Sequence, residues 1–348
     1  GWTPLHLTLH RGQQMVAAAA LYVKTNSSGE FVWDFAWADV ARQIGAGYYP
    51  KLVGMSPATP SPGYRFLIDP EEDEGELTVD MLSRIEAQVR ELGLHSHAFN
   101  WTDPQWARHL DTDNYVGWKH QSYVWTNEDF SDFDAYLASF RKNQRRNIRR
   151  EVDSMGQQGV ELRCLTGPQI CSADLDRMYD FYALHNAQFG PWAAKYLNRR
   201  FFLGLQDGFT DRLLLCAAYR EGNDEPIAMS FLVRKQNMVF GRYWGAREWV
   251  DNLHFNACYY EPIRWSIENG IRFFDPGMGS SHKVRRGFTA VSNFSLHRFR
   301  DQRMQAIMKA NIDRINEMED QQIQGLNAYS PLKDFPNGEA GLQSEPEA

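Results

Sequence analysis

The chain has 348 residues, of which 43% are hydrophobic and 14% aromatic, enough apolar surface for two domains. It carries 44 acidic against 37 basic side chains, and a net charge of −7 argues against a protein that coats nucleic acid broadly. The longest apolar run, residues 15–23, is far short of a bilayer span, so we expect no transmembrane helix. Residue 1 is glycine without a leader-like segment after it, and we expect a first element to be missing.

The elements, in chain order, repeat a pattern. Apolar runs between turn residues predict antiparallel strands in each half. The first half contains strands at 15–24 and from residue 31, a helix at 37–44 and a strand at 48–55. The second half contains strands at 213–220, 226–235 and 238–244, a helix at 255–269 and a strand at 271–275. The repeated order predicts two similar α/β domains in tandem.

Helical periodicity predicts further helices at 79–92, 133–155, 173–189 and 302–324. The predicted domains are 1–160, which ends in a basic helix, and 161–329. Residues 330–348, rich in Pro, Gly and Glu, are predicted to be a disordered tail.

The segment Arg42-Gln-Ile-Gly-Ala-Gly47 matches the loop by which acetyltransferases hold the coenzyme A pyrophosphate. Such a loop should follow a strand and begin a helix, where free N–H groups meet the phosphate. Here the glycines end a predicted helix and lead into a strand. The context therefore favours a helix C-cap over a coenzyme A loop.

A basic segment opposes the overall charge of the chain. It contains Arg141, Lys142, Arg145, Arg146, Arg149 and Arg150, with no acid among them. On a helix all six would point into about one half of the circumference. Like charges four positions apart repel by roughly 0.2–0.5 kcal/mol per pair, unless water or an anion offsets them. The segment is either a solvated basic face or a helix that binds phosphate or pyrophosphate.

A glycine-rich loop follows Asp275, and four basic side chains come directly after it: His282, Lys283, Arg285 and Arg286. Glycines allow close approach of a ligand, and the cations supply charge-assisted donors. His282 could take a proton from an attacking amine, because the usual histidine pKa lies near neutrality. The alternative is a basic surface loop without a ligand.

Tyr243 and Trp244 end a predicted strand, and His254 lies at the start of the next helix. They form either a pocket wall or ordinary aromatic core packing. The four cysteines show no metal-ligand spacing and are expected to be reduced, as in a cytoplasmic enzyme. No metal site is predicted.

Taken together, several segments resemble the FemAB-like predicted N-acyltransferases, a group of peptidoglycan biosynthesis or recognition proteins related to the GNAT acyltransferases and the Fem aminoacyltransferases. The resemblance covers most of the chain and rests on residues 24–39, 48–52, 59–65, 133–150, 243–246, 253–260 and 279–288. No single segment is specific to the family, but the set of segments is.

The resemblance implies an α/β fold of two GNAT-like domains, each a mixed, mainly antiparallel sheet flanked by helices. It also implies transfer of an acyl or aminoacyl group to a small-molecule or peptide amine, which forms an amide. The donor would be aminoacyl-tRNA or acyl-CoA as a co-substrate, with no tightly bound cofactor, and the tRNA acceptor end would be a partner.

For this reaction we assign roles to the basic and aromatic residues described above. The catalytic candidates are His282, Lys283, Tyr243 and His254. The candidates for phosphate or donor binding are Arg141, Lys142, Arg145, Arg146, Arg149, Arg285 and Arg286. The candidates for the acceptor pocket are Asp34, Tyr49, Lys51 and Trp244.

The chain departs from the family pattern at four polar positions. Histidine is usual where Asn26 and Val124 stand, and glutamate is usual at Asn256 and Ser281. These changes remove candidate acid/base groups while the basic residues stay. They predict either a specialised transferase, acting in natural-product or cell-wall-type biosynthesis, or a protein that recognises a nucleotide-sugar, a peptidoglycan fragment or RNA without catalysis.

Overall fold

The computed structural model describes residues 1–110, 114–190, 193, 195–279 and 281–333. The chain forms two compact units. The first contains residues 1–122 and 291–325, and the second contains residues 123–290 and the described residues after position 325. The chain passes from the first unit to the second after residue 122, within the strand Val116–Thr126, and returns after residue 290, within the strand Thr289–Phe299. The predicted boundary at residue 160 coincides with neither, so the basic segment belongs to the second unit.

The first unit is built on a mixed sheet. Its strands in hydrogen-bonded order are Thr3–Pro4, Leu21–Lys24, Lys51–Gly54, Ser96–Phe99 and the first-unit parts of Thr289–Phe299 and Val116–Thr126. Lys51–Gly54 is antiparallel to Leu21–Lys24 and parallel to Ser96–Phe99. The parallel pair needs a crossover, which the helix Glu74–Glu91 provides. A smaller sheet contains Leu7–Arg11, Gln14–Ala19 and Leu67–Ile68.

Three helices belong wholly or mainly to the first unit: Phe35–Gln43, Glu74–Glu91 and Gln302–Ala328. Glu74–Glu91 begins at Asp73, whose carboxylate accepts the backbone N–H of Glu76 at 2.7 Å. It buries the apolar stripe Leu77, Met81, Leu82, Ile85 and Val89 against the sheet core. Phe35–Gln43 ends before Gly45, whose φ is +68°, and this confirms the C-cap interpretation of residues 42–47.

The second unit is built on a meander of four antiparallel strands: Val160–Thr166, Leu213–Arg220, Pro226–Lys235 and Met238–Ala246. The last three confirm the strands predicted from the sequence. Phe273–Asp275 then adds in parallel to Met238–Ala246 and pairs antiparallel with the end of Val116–Thr126. The chain between the parallel strands is helical: Leu253–Phe255, a π-helical turn at Asn256–Tyr260 and Glu261–Glu268.

Each unit is therefore a mixed, mainly antiparallel sheet with helices, and the predicted fold class is confirmed. The repeat is less regular than the sequence suggests. In the second unit the parallel strand, Phe273–Asp275, directly follows the helix predicted at residues 255–269. In the first unit the parallel strand follows Glu74–Glu91, whereas Phe35–Gln43 leads into a strand that is antiparallel to its predecessor.

The single helix predicted at 133–155 is wrong, because two helices form, Phe133–Ala138 and Lys142–Gln157. Arg141 separates them with an extended backbone (φ −59°, ψ 148°), so it is not a helical residue. The second helix, which we call the basic helix, buries Ile148 and Met155. Among the described residues, this unit also contains the α-helices Ser172–Ala187 and Arg199–Gly204.

One other expectation is wrong. No strand forms at residues 31–34; Phe31 has φ +57°, which an extended strand cannot contain. Of the tail predicted at residues 330–348, the structure describes residues 330–333, and these are ordered. The N–H of Arg141 donates to the carbonyl of Pro331 at 2.9 Å, and Leu332 forms a bridge with Phe140. The rest of that tail lies outside the described residues.

We predict that Gly245→Ala destabilises the second unit. A Cβ at Gly245 would lie 2.1 Å from the backbone oxygen of Phe181, on the helix Ser172–Ala187. Backbone cannot rotate away as a side chain can, so the helix must move. We expect the free energy of unfolding to fall by about 1–3 kcal/mol, measured by urea denaturation.

Gly156→Ala in the basic helix is the matched control, because nothing lies within 4 Å of the added Cβ. It should be neutral or should stabilise by about 0.5–1 kcal/mol, since glycine is unfavourable within a helix. Equal losses in the two variants would contradict the proposed clash.

Candidate active site

The turn Ser281–Arg286 is a short 3₁₀ helix after the glycine-containing loop. Lys283 turns back into that loop, and its Nζ donates to the carbonyls of Gly277 at 2.7 Å and Met278 at 2.8 Å. Lys283 is only 2% exposed, and burial lowers its pKa to about 8 although Asp275 acts in the opposite direction. Lys283 therefore holds the loop in place and can lose its proton near mildly alkaline pH.

Asp275 fixes the start of the same loop. One of its oxygens accepts the backbone N–H of Gly277 at 2.7 Å, and the other pairs with Nη2 of Arg242 at 3.2 Å. The Asp275 and Arg242 side chains are both nearly inaccessible to solvent. A buried pair with these additional hydrogen bonds favours one loop conformation over others.

His282 lies among aromatic rings. Its ring centroid is 6.1 Å from that of His254, 5.4 Å from Phe255 and 5.5 Å from Tyr259, and Trp244 lies 5.3 Å from His254. Burial, and then neighbouring positive charges, lower the pKa of His282 to about 4 and that of His254 to about 3. Both imidazoles are thus neutral at pH 7. Nδ1 of His282 is buried without a hydrogen-bond partner in the described part of the chain, so the hydrogen-bonding capacity of this nitrogen is unused.

Tyr243 is placed elsewhere. Successive side chains of a strand alternate between faces, and Tyr243 points to the face opposite Trp244. Its ring packs against Tyr182 at 4.8 Å, Phe231 at 5.8 Å and Phe202 at 6.2 Å. The structure brings Trp244, His254 and His282 together and leaves Tyr243 in a separate aromatic core.

Glu151 was not predicted from the sequence, yet it connects the parts of this site. It lies on the basic helix with a side chain only 18% exposed. Its Oε2 accepts from Nη2 of Arg286 at 2.9 Å and from the hydroxyl of Tyr260. Arg286 also donates to the carbonyl of His282 at 3.0 Å, and its guanidinium lies 3.5 Å from the ring centroid of Phe255.

The basic helix is attached to the turn Ser281–Arg286 at a second point, because Nε2 of Gln144 donates to the carbonyl of Arg285 at 2.8 Å. The two predicted anion ligands in the turn therefore differ. Arg286 is 4% exposed and held by protein groups, whereas the side chain of Arg285 is exposed. Only Arg285 presents its charge to solvent.

The cations of the basic segment extend from the N-cap of the basic helix to its middle and remain largely uncompensated. Arg149 pairs with Asp134 at 3.3 Å. The other five, within the described residues, have no acidic group within 4 Å. The first turn contains no acid, and Arg141 provides no side-chain cap. Arg141 and Lys142 lie at the positive end of the helix dipole, so they are repelled by it, and an anion bound there would offset both the positive charges and the dipole.

A buried ionic cluster lies in the first unit. Nζ of Lys51 donates to Ser27 at 2.9 Å, to Glu30 at 2.8 Å and to Asp34 at 2.5 Å, and the hydroxyl of Tyr48 donates to Asp34 at 2.7 Å. All five side chains are buried. Burial alone would raise the pKa of Asp34, but Lys51 outweighs it and holds that pKa below its usual range.

Tyr49 joins the cluster through Ser27, with 2.8 Å between the two hydroxyl oxygens. Three of the predicted acceptor-pocket residues, Asp34, Tyr49 and Lys51, are thus brought together in one unit. The fourth, Trp244, belongs to the other unit. Asp34 and Lys51 are fully enclosed, so Tyr49, which is partly exposed, is the member that reaches the surface.

The sequence matches the family FemAB-like, described as peptidoglycan biosynthesis/recognition, over residues 1–334. The chain belongs to the FemAB-like family. A search of curated proteins found no match.

Three solved structures share the fold of this FemAB-like protein. The first is the C-terminal domain of a putative lysylphosphatidylglycerol synthetase from Agrobacterium fabrum, with a TM-score of 0.53, 9% sequence identity and 88% of each chain covered. The second is L-PGS from Bacillus licheniformis, with a TM-score of 0.52, 9% identity, and 84% of this chain and 85% of that chain covered. The third is FemX, with a TM-score of 0.51, 11% identity, and 88% of this chain and 91% of that chain covered. At such identities the likeness concerns the fold alone.

Of the four polar positions singled out in the sequence, two make hydrogen bonds within the protein. Asn256, in the π-helical turn, donates to the carbonyls of Glu151 at 2.9 Å and Asn252 at 3.0 Å. Asn26 accepts the N–H of Ser28 at 3.0 Å. Val124 is buried in the core, and Ser281 is exposed at the start of the turn.

All four cysteines are free thiols. Among the described residues, no group of three or more histidine, cysteine, aspartate or glutamate side chains is arranged to hold a metal ion. None of the helices in the described part of the chain has the length and apolar character that crossing a membrane requires.

We predict that Lys51→Met strongly destabilises the protein. The substitution leaves Glu30 and Asp34 buried without their cation, which should cost about 3–5 kcal/mol of unfolding free energy. Denaturant unfolding at pH 7 measures this. The matched control is Lys119→Met, because Lys119 pairs with Asp320 at 2.6 Å where both side chains are partly exposed. The control should lose less than about 1 kcal/mol, and a similar loss in both variants would argue against a buried ionic cluster.

The loss caused by Lys51→Met should depend on pH. The lowered pKa of Asp34 means that its ion pair stabilises the folded state fully above the usual carboxylate pKa of about 4, and loses that effect as pH falls through the lowered value. The difference in unfolding free energy between the unsubstituted protein and Lys51→Met should therefore become smaller below about pH 4. A difference that stays constant between pH 7 and pH 3 would show that the charge of Asp34 is not involved.

Proposed function

We propose that this FemAB-like protein is an aminoacyltransferase, which forms an amide between an aminoacyl group carried by tRNA and an amine acceptor of the peptidoglycan-precursor type. Family membership supports the link to peptidoglycan. A fold shared with FemX and with the C-terminal domain of a putative lysylphosphatidylglycerol synthetase supports the proposal of aminoacyl transfer. The observation that carries the proposal is the uncompensated, uncapped start of the basic helix, attached to the turn that contains His282.

The charges favour a donor with several phosphates. One diphosphate is satisfied by two or three cations, whereas this region presents six without acidic partners among the described residues: Arg141, Lys142, Arg145, Arg146, Arg150 and Arg285. The loop at residues 42–47 is unsuited to the pyrophosphate of coenzyme A, because it lies at the C-terminal, negative end of its helix. The net charge of −7 limits the contact with tRNA to a local region such as the acceptor end.

In the proposed reaction, the amine nitrogen of the acceptor attacks the ester carbon of the aminoacyl-tRNA. A C–N bond forms, the bond to the ribose oxygen breaks, and the proton lost by the amine ends on that oxygen. His282 is neutral at pH 7 with an unpartnered Nδ1, so it can accept a hydrogen bond from the amine. A pKa of about 4 makes it a weak base, and its contribution is chiefly to orient the amine and assist proton transfer. Lys283 holds the neighbouring loop through Gly277 and Met278.

A second candidate function is recognition without catalysis. It is favoured by the residues at the four divergent positions, Asn26, Val124, Asn256 and Ser281, which supply no acid or base. Such a protein would bind a nucleotide-sugar, a peptidoglycan fragment or RNA through the same cations but would form no product.

We predict that the double variant Arg145→Gln/Arg146→Gln weakens binding of aminoacyl-tRNA by roughly tenfold or more and lowers its salt dependence. Losing two phosphate contacts should reduce the slope of log affinity against log salt by about 1.4–1.8. Fluorescence anisotropy with labelled aminoacyl-tRNA at several salt concentrations measures both quantities. Arg200→Gln, an exposed arginine on the helix Arg199–Gly204, is the control and should leave both unchanged. An unaltered slope in the double variant would remove the basic helix from the donor site.

We predict that His282→Ala lowers the rate of product formation by about 10²–10⁴-fold while tRNA binding is retained, because the group that receives the amine hydrogen bond is lost. The assay incubates the protein with candidate amine acceptors and either aminoacyl-tRNA or acyl-CoA, and mass spectrometry detects the acylated acceptor. Arg200→Gln, an exposed arginine outside the basic helix and the turn Ser281–Arg286, serves as the control and should retain most of the rate.

Product formed from acyl-CoA but not from aminoacyl-tRNA would overturn the donor assignment. Tight ligand binding with no product from either donor would favour the recognition protein over the enzyme.

A further inference from the structure

A cavity of about 180 Å³ lies within the first unit, apart from the buried ionic cluster of Lys51. Its walls come from the end of the helix Glu74–Glu91, from two paired strands, and from the connection to the helix Gln302–Ala328. The lining residues are Glu86, Val89, Arg90, His97, Arg298, Phe299, Arg300 and Gln302. Nothing in the proposed transfer reaction uses them.

The charge of these walls is positive. Three arginines face one glutamate, which leaves two positive charges in excess. Arg298 pairs with Glu86. Arg90 and Arg300 have no acidic group within 4 Å in the described part of the chain, and Arg300 makes only a long hydrogen bond of 3.4 Å to the carbonyl of Leu94.

The remaining groups at the cavity do not cancel that charge. His97 is buried and bonded through Nε2 to the hydroxyl of Tyr115 at 2.8 Å, and burial lowers its pKa to about 4, so it is neutral at pH 7. Asp301, next to the cavity, caps the last helix and pairs with Arg303 at 2.7 Å, so this pair adds no net charge. The excess positive charge is therefore available to a ligand.

The elements around the cavity place its cations and one helix end at its walls. Arg298 lies directly opposite His97 in the antiparallel pairing of Thr289–Phe299 with Ser96–Phe99. Arg90 lies in the last turn of Glu74–Glu91, and Arg300 lies in the connection that leads to Gln302. Gln302 is the first residue of the 27-residue helix Gln302–Ala328, so the positive end of that helix dipole lies at the cavity wall.

We propose that this cavity binds a phosphate group of a small ligand. Planar guanidinium groups bind phosphate oxygens in pairs, and a phosphate dianion matches the two excess positive charges. The volume is far above the ~10–15 Å³ that a single water needs and below the ~300–1,000 Å³ typical of sites that enclose a whole drug-sized molecule. The cavity therefore takes a phosphate or a short phosphate ester, and any larger part of the ligand remains outside.

Isothermal titration calorimetry on the full chain tests this, with inorganic phosphate and pyrophosphate as probes and succinate for comparison, in a phosphate-free buffer. We expect saturable binding of the phosphates. The double variant Arg90→Gln/Arg300→Gln should weaken it at least tenfold, and thermal melting should show that it still folds, since both side chains are exposed and lack ion pairs among the described residues. Arg84→Gln is the matched control: it lies on the same helix, pairs with Asp80 and does not line the cavity.

Three results would overturn the proposal: no saturable binding, binding unaffected in Arg90→Gln/Arg300→Gln, or equal binding of succinate. The variant Arg145→Gln/Arg146→Gln separates this site from the proposed donor site. If phosphate binding is lost there and kept in Arg90→Gln/Arg300→Gln, the anion sits on the basic helix and the cavity is not a phosphate site. The cavity proposal stands or falls independently of any transferase activity.

Discussion

The ion pair between Glu151 and Arg286 is the constraint on which the candidate site depends. A helix with cations on one side would by itself be an independent, solvated element. Glu151 points inward from that helix and binds an arginine whose other contacts are the carbonyl of His282 and the ring of Phe255. One carboxylate therefore sets the distance between the positively charged helix start and the neutral imidazole. Because both partners are largely buried, breaking the pair would leave an uncompensated charge, and the arrangement is strongly favoured once formed.

The sequence predicted the elements whose signals are local. Three strands of the second-unit meander and the helix ended by Gly45 follow from apolar runs, turn residues and a glycine cap. The break at Arg141 was not predicted because helical periodicity continues across residues 133–155, whereas the extended Arg141 donates its N–H to Pro331, which is distant in sequence. The return of residues 291–325 to the first unit likewise depends on contacts between residues far apart in sequence, so no local pattern predicts it.

The site could be predicted only in part for the same reason. Basic residues cluster in sequence, so the basic segment and the turn Ser281–Arg286 were found. Composition cannot tell an exposed arginine from a buried one, and Arg285 and Arg286 differ in this respect although they are adjacent. Glu151 directly follows the basic segment in sequence, and no local pattern distinguishes it. Its partners Tyr260 and Arg286 lie more than 100 positions away, and only the fold brings them together.

The uncapped start of the basic helix has a consequence for how firmly this part of the chain is folded. Arg141 provides no side-chain acceptor for the first N–H groups, and Arg141 and Lys142 repel the positive end of the helix dipole, so the first turn is less stable than the buried remainder. A phosphate bound there, as proposed, would supply the missing acceptor and would bind only the ordered turn. By linkage, the fraction of molecules with this turn formed would then rise with ligand concentration. Local order of this turn would in this way be a property of the complex more than of the protein alone.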